Sequence, residues 1–464
     1  MVAVNLHLPG LAELTISSDT FCRRFPHNVF GFRSIPKVGA MREEVFKLKS
    51  MYETVRSLTR SIVLEISAED QTVQSCPEAS PMKWHQAHTT WFFETFVLRP
   101  FLPGYQPFRD EFRWLFNSHY NSLGETIPDK KLRASFSRPL LKEVLAFRTH
   151  VDKEMTRLLA GSVDEESSRR VMLGLNHEQQ HQELALTDIK HAFFSNPLHP
   201  SYESAPLAKE RDLPLPQLNW PSFDGGLIEV GYPLESNNPF DFCFDNETPR
   251  HPVYLEPFQI SNRNVTCHEY LDFMSDDAYG RPEFWLSEGW ETVRQGGWQA
   301  PLYWERDTSD KTGWHVFTLR GWQGLSRLLD TPVCHVSFFE ADAFARWRGC
   351  RLPTEAEWES VAGQAPLHGN LLDTGRLHPA KANGTGVEQL FGDCWEWTAS
   401  PYVAYPGYKP LPDALGEYNG NFMSGRMILR GGSCVTPAGH VRATYRNFFQ
   451  PATRWQFTGI RLAI

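Results

Sequence analysis

Between Pro197 and Pro221 the chain carries six prolines in 25 residues and shows no apolar period. Proline lacks the backbone N–H that helix interiors and central strands need, so such a stretch reads as a linker. It separates two halves of opposite character. The half before it repeats apolar residues at helical spacing, and the half after it is rich in Gly, Trp and Arg with short apolar runs broken by turns. A length of 464 residues also favours two domains over one. The expected organisation is an N-terminal arm over 1–40, a four-helix bundle over 41–196, a linker over 197–221 and a second, α+β domain over 222–464.

In the first half, Val45, Leu48, Met51, Tyr52, Val55, Leu58 and Ile62 recur at three- and four-residue steps. That spacing predicts a helix from Met41 to about Ser67. A second helix is expected from Trp84 to Leu98, ahead of Pro100. A third follows Pro139 with Leu140, Val144, Phe147, Val151, Met155 and Leu158 on one face. A fourth runs from about Asp164 to Phe194. Four helices with one long crossover predict a four-helix bundle. Beyond the linker, helical spacing is confined to Thr266–Met274, Phe338–Arg346 and Thr354–Ala362, the last opened by the capping box Thr354-Glu-Ala-Glu357.

The fourth helix holds His177-Glu178-Gln179-Gln180-His181. Residues i and i+4 project from one helix face, so the two imidazoles can bind one metal. The string matches H-E-x-x-H, in which a zinc hydrolase uses the Glu as base. The longer zinc pattern fails, because Leu184 and Thr187 stand where Gly and His are needed. His191 lies ten residues past His181, roughly 15 Å further along the axis, too far to share the ion. A third ligand is sought on the second helix, where His85 and His88 are three residues apart. Spacing does not choose between them, nor between zinc hydrolysis and iron oxygen chemistry.

The second half carries four distinctive strings: Gly349-Cys-Arg-Leu-Pro-Thr-Glu-Ala-Glu-Trp358, Gly392-Asp-Cys-Trp-Glu-Trp-Thr398, Leu429-Arg-Gly-Gly-Ser433 and Thr458-Gly-Ile-Arg-Leu462. They resemble the formylglycine-generating, sulfatase-modifying family, whose fold is C-type-lectin-like. The oxidases of that family need a cysteine pair near the C-terminus. Here Val441-Arg-Ala-Thr-Tyr-Arg-Asn447 has none, and Cys434 stands alone. The Trp and Gly residues of these strings read as core and turn positions. The first half adds Ala87-His88-Thr-Thr-Trp-Phe-Phe-Glu94 to the His177–His181 string. Together the two halves resemble the ergothioneine-biosynthesis sulfoxide synthases (hercynylcysteine sulfoxide synthases), in which a DinB-like bundle precedes the lectin-like domain.

That resemblance implies an iron(II) ion held by His88, His177 and His181, with O₂, a thiol and Nα-trimethylhistidine (hercynine) as substrates. It assigns Gln180, Tyr418, Asn447 and Phe448 to the hercynine pocket, where aromatic faces suit a trimethylammonium group. Some members place a proton-donating tyrosine three residues before Tyr418, where this chain has Leu415. Others use a Tyr-Tyr pair, and here that loop reads Asn117-Ser118-His119-Tyr120. Tyr120 is therefore the expected proton donor, with His119 in place of the second tyrosine. Members that take γ-glutamylcysteine carry an acidic and a basic residue where Phe449 and Thr453 stand, so cysteine is the expected donor. Lys130 and Arg133 are expected at its carboxylate.

Charge and composition narrow the alternatives. A formal net charge of −9 argues against nucleic acid as partner. No apolar run is long enough for a transmembrane helix, and the first residues lack a secretion signal. Eight cysteines without C-x-x-C pairs suggest reduced thiols in a cytoplasm. The competing readings are an ovothiol-type histidine sulfoxide synthase, whose members usually carry an added methyltransferase domain, and an H-E-x-x-H zinc metallohydrolase.

Overall fold

The computed structural model describes residues 38–124, 126–161, 163–209, 213–234 and 240–464, with side chains from Glu43 onward. Residues 43–464 form a single compact unit. Residues 1–37, most of the expected arm, lie outside the described residues.

Four long helices make the first half: α1 (Val38–Val63), α2 (Met82–Phe93), α3 (Leu141–Leu158) and α4 (Glu165–Ser195). α1 and α3 bury most of the expected stripe: on α3, Val144, Phe147, Val151 and Met155 are fully buried, and on α1 Leu48, Tyr52, Val55 and Ile62 are buried, with Val45, Met51, Leu58 and Leu140 half-buried. Asp164 caps α4, its carboxylate accepting the Ser167 N–H at 2.8 Å. Two boundaries differ from the sequence reading. α1 ends at Val63, where the chain turns to send Gln71 back, its Nε2 donating to the carbonyls of Val63 and Ile66. α2 passes into a π-helical turn over Glu94–Leu98. There the buried Glu94 carboxylate accepts from the Tyr105 hydroxyl and the Phe108 N–H, tying the turn to the crossover loop.

α2 is buried along its whole length, on every face. An apolar helix can be enclosed at no electrostatic cost, but this one carries Lys83, His85, Gln86, His88, Thr89 and Thr90, and each polar group needs a partner. Lys83 donates to the Phe136 carbonyl at 2.6 Å and Gln86 to Gln71 Oε1 at 2.7 Å. α4 reaches α2 closely because residue 174 is glycine. A Cβ there would lie 2.7 Å from the Phe93 ring, so the buried ring or the helices would have to shift.

The second half is α+β with short strands. Its main sheet has four strands in the order Asn447–Phe449, Met427–Arg430, Trp395–Pro401 and Thr458–Gly459; the last pair is parallel, the others antiparallel. Smaller sheets of two, two and three strands flank it. Helices Cys267–Ser275, Phe338–Trp347 and Glu355–Ala362 each start from a hydroxyl cap, Thr266, Ser337 and Thr354, with a Glu closing the box. The four distinctive strings build the frame. Arg461 and Glu396 pair at 2.6 Å, Trp358 Nε1 donates to the same carboxylate at 2.6 Å, and Arg430 pairs with Glu359 at 2.7 Å. All are buried. Their high charge is thus structural, with each ion met by an opposite one.

The proline-rich segment is docked along its described residues. The Tyr202 N–H donates to the Leu319 carbonyl, its hydroxyl to the Ile62 carbonyl, and the Asn219 N–H to Asn262. It straps the two halves together and is no free tether. The seven described cysteines are free thiols. Among the described residues no helix is long and apolar enough to cross a membrane.

Candidate active site

His88 on α2 and His177 and His181 on α4 bring one ligand nitrogen each to within 4.8 Å of one another. Helical spacing puts His177 and His181 on the same face, their rings 4.6 Å apart. His88 is sandwiched between Trp84 and Trp91, at 4.4 and 5.4 Å and nearly parallel to both. Its Nδ1 donates to the Phe116 carbonyl at 2.6 Å, which leaves Nε2 as the ligand atom. His177 Nδ1 is buried without a partner. Burial lowers the pKa of all three: His177 to about 3, His88 and His181 well below the usual imidazole value. Three neutral imidazoles facing one point, one with an orphaned nitrogen, fit a divalent transition-metal ion with open coordination positions.

His85, the alternative that spacing left open, stands behind the cluster. Its Nδ1 meets His181 Nδ1 at 2.8 Å and its Nε2 meets Asp188 at 3.1 Å. Asp188 is held in turn by the Ser80 N–H. This carboxylate–imidazole chain orients His181 from outside, as partners of metal-bound histidines do.

Glu178 takes no part in the centre. Its carboxylate is fully buried, 2.9 Å from Arg56 Nη1, 2.6 Å from Arg148 Nη2 and 2.6 Å from Thr59 Oγ1. Burial raises its pKa, and the two arginines more than reverse this, bringing it to about 2. A carboxylate so held is no proton acceptor near neutral pH, which removes the base that a zinc hydrolase reading requires.

A cavity of about 190 Å³ opens beside His181, on the seam between bundle and second domain. Gln180, Tyr418, Asn447, Phe448 and Phe449 line it, together with residues the sequence reading did not single out: Phe244, Asn246, Tyr445 and Gln456. Asn246 Oδ1 and Gln456 Nε2 are buried there without partners. These four lie on loops and strand ends remote in sequence, and their only sequence signal was aromatic or amide character shared with ordinary core positions. Phe448 stacks on Tyr402 at 4.0 Å, and Tyr418 on Phe244 at 5.7 Å.

The remaining expected residues are placed differently. Tyr120 is fully buried against Trp91, Phe96 and His119, its hydroxyl unpartnered and its pKa pushed up by burial. It does not line the cavity; His119, stacked on it at 4.3 Å, does. Arg133 covers the Trp84 ring at 3.4 Å, one ring away from His88, and donates to Ser80. Lys130 donates to the Glu78 carbonyl and lies off the cavity.

A family model, the sulfatase-modifying factor enzyme 1-like domain, matches residues 221–377 and 374–464. The hercynine oxygenase of Mycobacterium tuberculosis is 30% identical over 418 residues, covering 83% of this chain and 91% of its own. The chain belongs to the hercynine oxygenase family. The hercynine oxygenase of Mycolicibacterium smegmatis is 29% identical over the same shares, and that of Mycolicibacterium thermoresistibile 34% identical over 48% of this chain and 54% of its own. As a member of that family the chain is an oxidoreductase of ergothioneine biosynthesis, with the lectin-like domain joined to a histidine-bearing bundle.

Proposed function

We propose that this enzyme is a non-haem iron(II), O₂-dependent sulfoxide synthase joining the sulfur of cysteine to the imidazole carbon between the ring nitrogens of hercynine. The observation that carries the proposal is the meeting of two features: three neutral histidines around one point, and an aromatic cavity opening beside His181. The reaction balances as hercynine, thiol and O₂ going to sulfoxide and water. The ring C–H and the S–H are lost, the C–S bond forms, one oxygen atom stays on sulfur and the other leaves as water.

Iron(II), held by His88, His177 and His181, would supply the electrophilic site at which thiol and O₂ are activated. The cavity residues position the acceptor. Phe244, Tyr418, Phe448 and Phe449 offer faces for the trimethylammonium group. Gln180, one residue before His181, offers an amide to the imidazole ring, and Asn447 a second one from the strand above. Burial keeps the protons on Tyr120 and Tyr418. Tyr120 is the proton donor in this reading, with His119 between it and the cavity. Phe449 and Thr453 bear no charge for a glutamyl group, which favours cysteine over γ-glutamylcysteine, and Arg133, over the Trp84 ring that stacks on His88, is the cation offered for its carboxylate. The thiols and their expected cytoplasmic setting accord with a substrate that must stay reduced.

The test is anaerobic loading with iron, then cysteine and hercynine under O₂, with products read by mass. A sulfoxide adduct and matching O₂ uptake are expected; no adduct with any thiol, or full activity with zinc and no O₂, refutes the proposal. In the Tyr120→Phe variant the sulfinic acid of the thiol is expected to rise relative to the sulfoxide. An unchanged ratio removes Tyr120 from its role.

A further inference from the structure

Gln180 is a cavity-lining side chain of the bundle whose amide is gripped by the second domain. Its Nε2 donates to the Tyr445 hydroxyl at 2.5 Å. An amide has two ends of opposite character, so the partner of one end decides what the other end offers. With nitrogen turned to Tyr445, the carbonyl oxygen Oε1 is left for the cavity. It makes no hydrogen bond to protein among the described residues.

Tyr445 is itself pinned. It is 3% exposed, its ring set edge-on to Phe244 at 5.6 Å and against Trp395 at 5.4 Å. The Arg442 guanidinium lies 5.1 Å from its centroid and is tied to Glu247 at 2.7 Å. A hydroxyl that accepts from Gln180 must place its own hydrogen elsewhere, and His440 Nε2 is 3.2 Å away. His440 is 1% exposed, and burial, then the neighbouring Arg442, lowers its pKa well below the usual value, which keeps the ring neutral with one nitrogen an acceptor. With His440 Nε2 as that acceptor, the donors run from Gln180 to Tyr445 to His440. Reversing that order would require a proton on His440 Nε2 and would turn the Gln180 nitrogen to the cavity.

We infer that Tyr445 is a positioning residue that sets acceptor specificity: with His440 behind it, it holds the Gln180 amide so that its oxygen receives a ring N–H of the imidazole substrate. The inference rests on the proposed function and adds which protonated form of the ring is read, and by what. A site built to accept an N–H discriminates against a ring lacking it, because the acceptor is then left buried and unmet. The second domain thereby fixes the polarity of a residue adjacent to a metal ligand on the bundle.

The experiment titrates iron-loaded protein, without O₂, with hercynine and with its two ring-N-methylated isomers, reading dissociation constants by calorimetry. Wild-type protein should favour hercynine over both isomers, because a neutral ring methylated on either nitrogen has no N–H for Gln180 to receive. In Tyr445→Phe that preference should fall about tenfold, one hydrogen bond's discrimination, with the dissociation constant for cysteine unchanged. His440→Leu, which keeps the Tyr445 ring and hydroxyl, should lower the same preference, because the phenol is then free to donate to the Gln180 oxygen. A role in packing alone would weaken hercynine and both isomers alike. Folded variants that both keep the wild-type preference overturn the inference. Wild-type protein that binds no hercynine overturns the functional reading as well.

Discussion

Two buried glutamates, five residues apart on α4, are met in opposite ways. Glu178 points into the bundle and is met by two guanidinium groups. Glu183 points to the second domain and is met only by neutral donors: Trp395 Nε1 at 2.7 Å, Ser433 Oγ at 2.6 Å and Thr436 Oγ1 at 2.8 Å. The pKa of Glu178 falls to about 2 because arginine charge outweighs burial; that of Glu183 rises because burial outweighs three hydrogen bonds. The bundle face of this helix is thus locked by charge. The face on the seam is held by dipoles that also shape the aromatic cavity. His177 and His181 lie on the same helix, and the contrast explains how this stretch of α4 is rigid on one side and open to the cavity on the other.

The largest effect is expected where the two faces meet. His177→Ala removes one of the three clustered histidines, and on the proposed function turnover should fall by more than about 10³-fold with loss of bound iron, checked by metal analysis beside O₂ uptake. Full iron content and activity in this variant would dissolve the division of α4 drawn here.

Next comes the charge-locked face. Glu178→Gln leaves Arg148 buried without a counter-charge and Arg56 with Asp152 alone, a loss of about 3–5 kcal/mol in urea unfolding. The wild type should show the same dependence through pH. A carboxyl whose folded pKa is about 2 against an ordinary 4.5 gives the native state on the order of 3 kcal/mol above that ordinary value. The unfolded chain binds the proton more readily, so this stability is lost as pH falls from about 4.5 towards 2. In Glu178→Gln that acid slope should be reduced. An equally steep slope would mean that other carboxyls carry it.

His85→Phe probes the support behind the metal. It breaks the Asp188–His85–His181 chain while keeping a ring of similar shape, and iron affinity should weaken about 10–100-fold, read by competition with a chelator. An unchanged affinity would make His85 a packing residue.

How far the sequence anticipates this picture depends on the range of the deciding contacts. His177 and His181 are legible because the spacing that unites them is one helical turn. The choice between His85 and His88 is not: it turns on the Phe116 carbonyl and on Asp188, which lie 28 and 103 residues away. The H-E-x-x-H string misleads for the same reason, since Arg56 is 122 residues from Glu178 and nothing local announces it. The helices and capping boxes follow from local period, whereas the π-helical turn after α2 answers to Glu94 and its contacts in the crossover loop. Tyr120 and His119 are neighbours in a loop, and only the packing of Trp91 and Phe96 decides which one reaches the cavity. In the second domain the four strings were readable as a frame. Phe244, Asn246, Tyr445 and Gln456 were not readable as cavity residues, because their walls form only when bundle and domain close on each other.

The smallest effect, and the sharpest check of the opening contrast, is expected at Glu183. A glutamine there keeps Oε1 for Trp395 and Ser433, and its new N–H₂ meets a Thr436 hydroxyl that can rotate to accept. The change should therefore alter stability by less than about 1 kcal/mol, a fraction of the Glu178→Gln loss although both side chains are buried. Its pH signature has the opposite sign. A carboxyl whose folded pKa is raised makes the native state bind the proton more readily than the unfolded chain. The wild type therefore loses stability as pH rises from the ordinary carboxylate value through the raised one. Glu183→Gln should flatten that decline and leave the acid slope due to Glu178 in place. A large loss at neutral pH in Glu183→Gln would show that the seam, too, is held by charge.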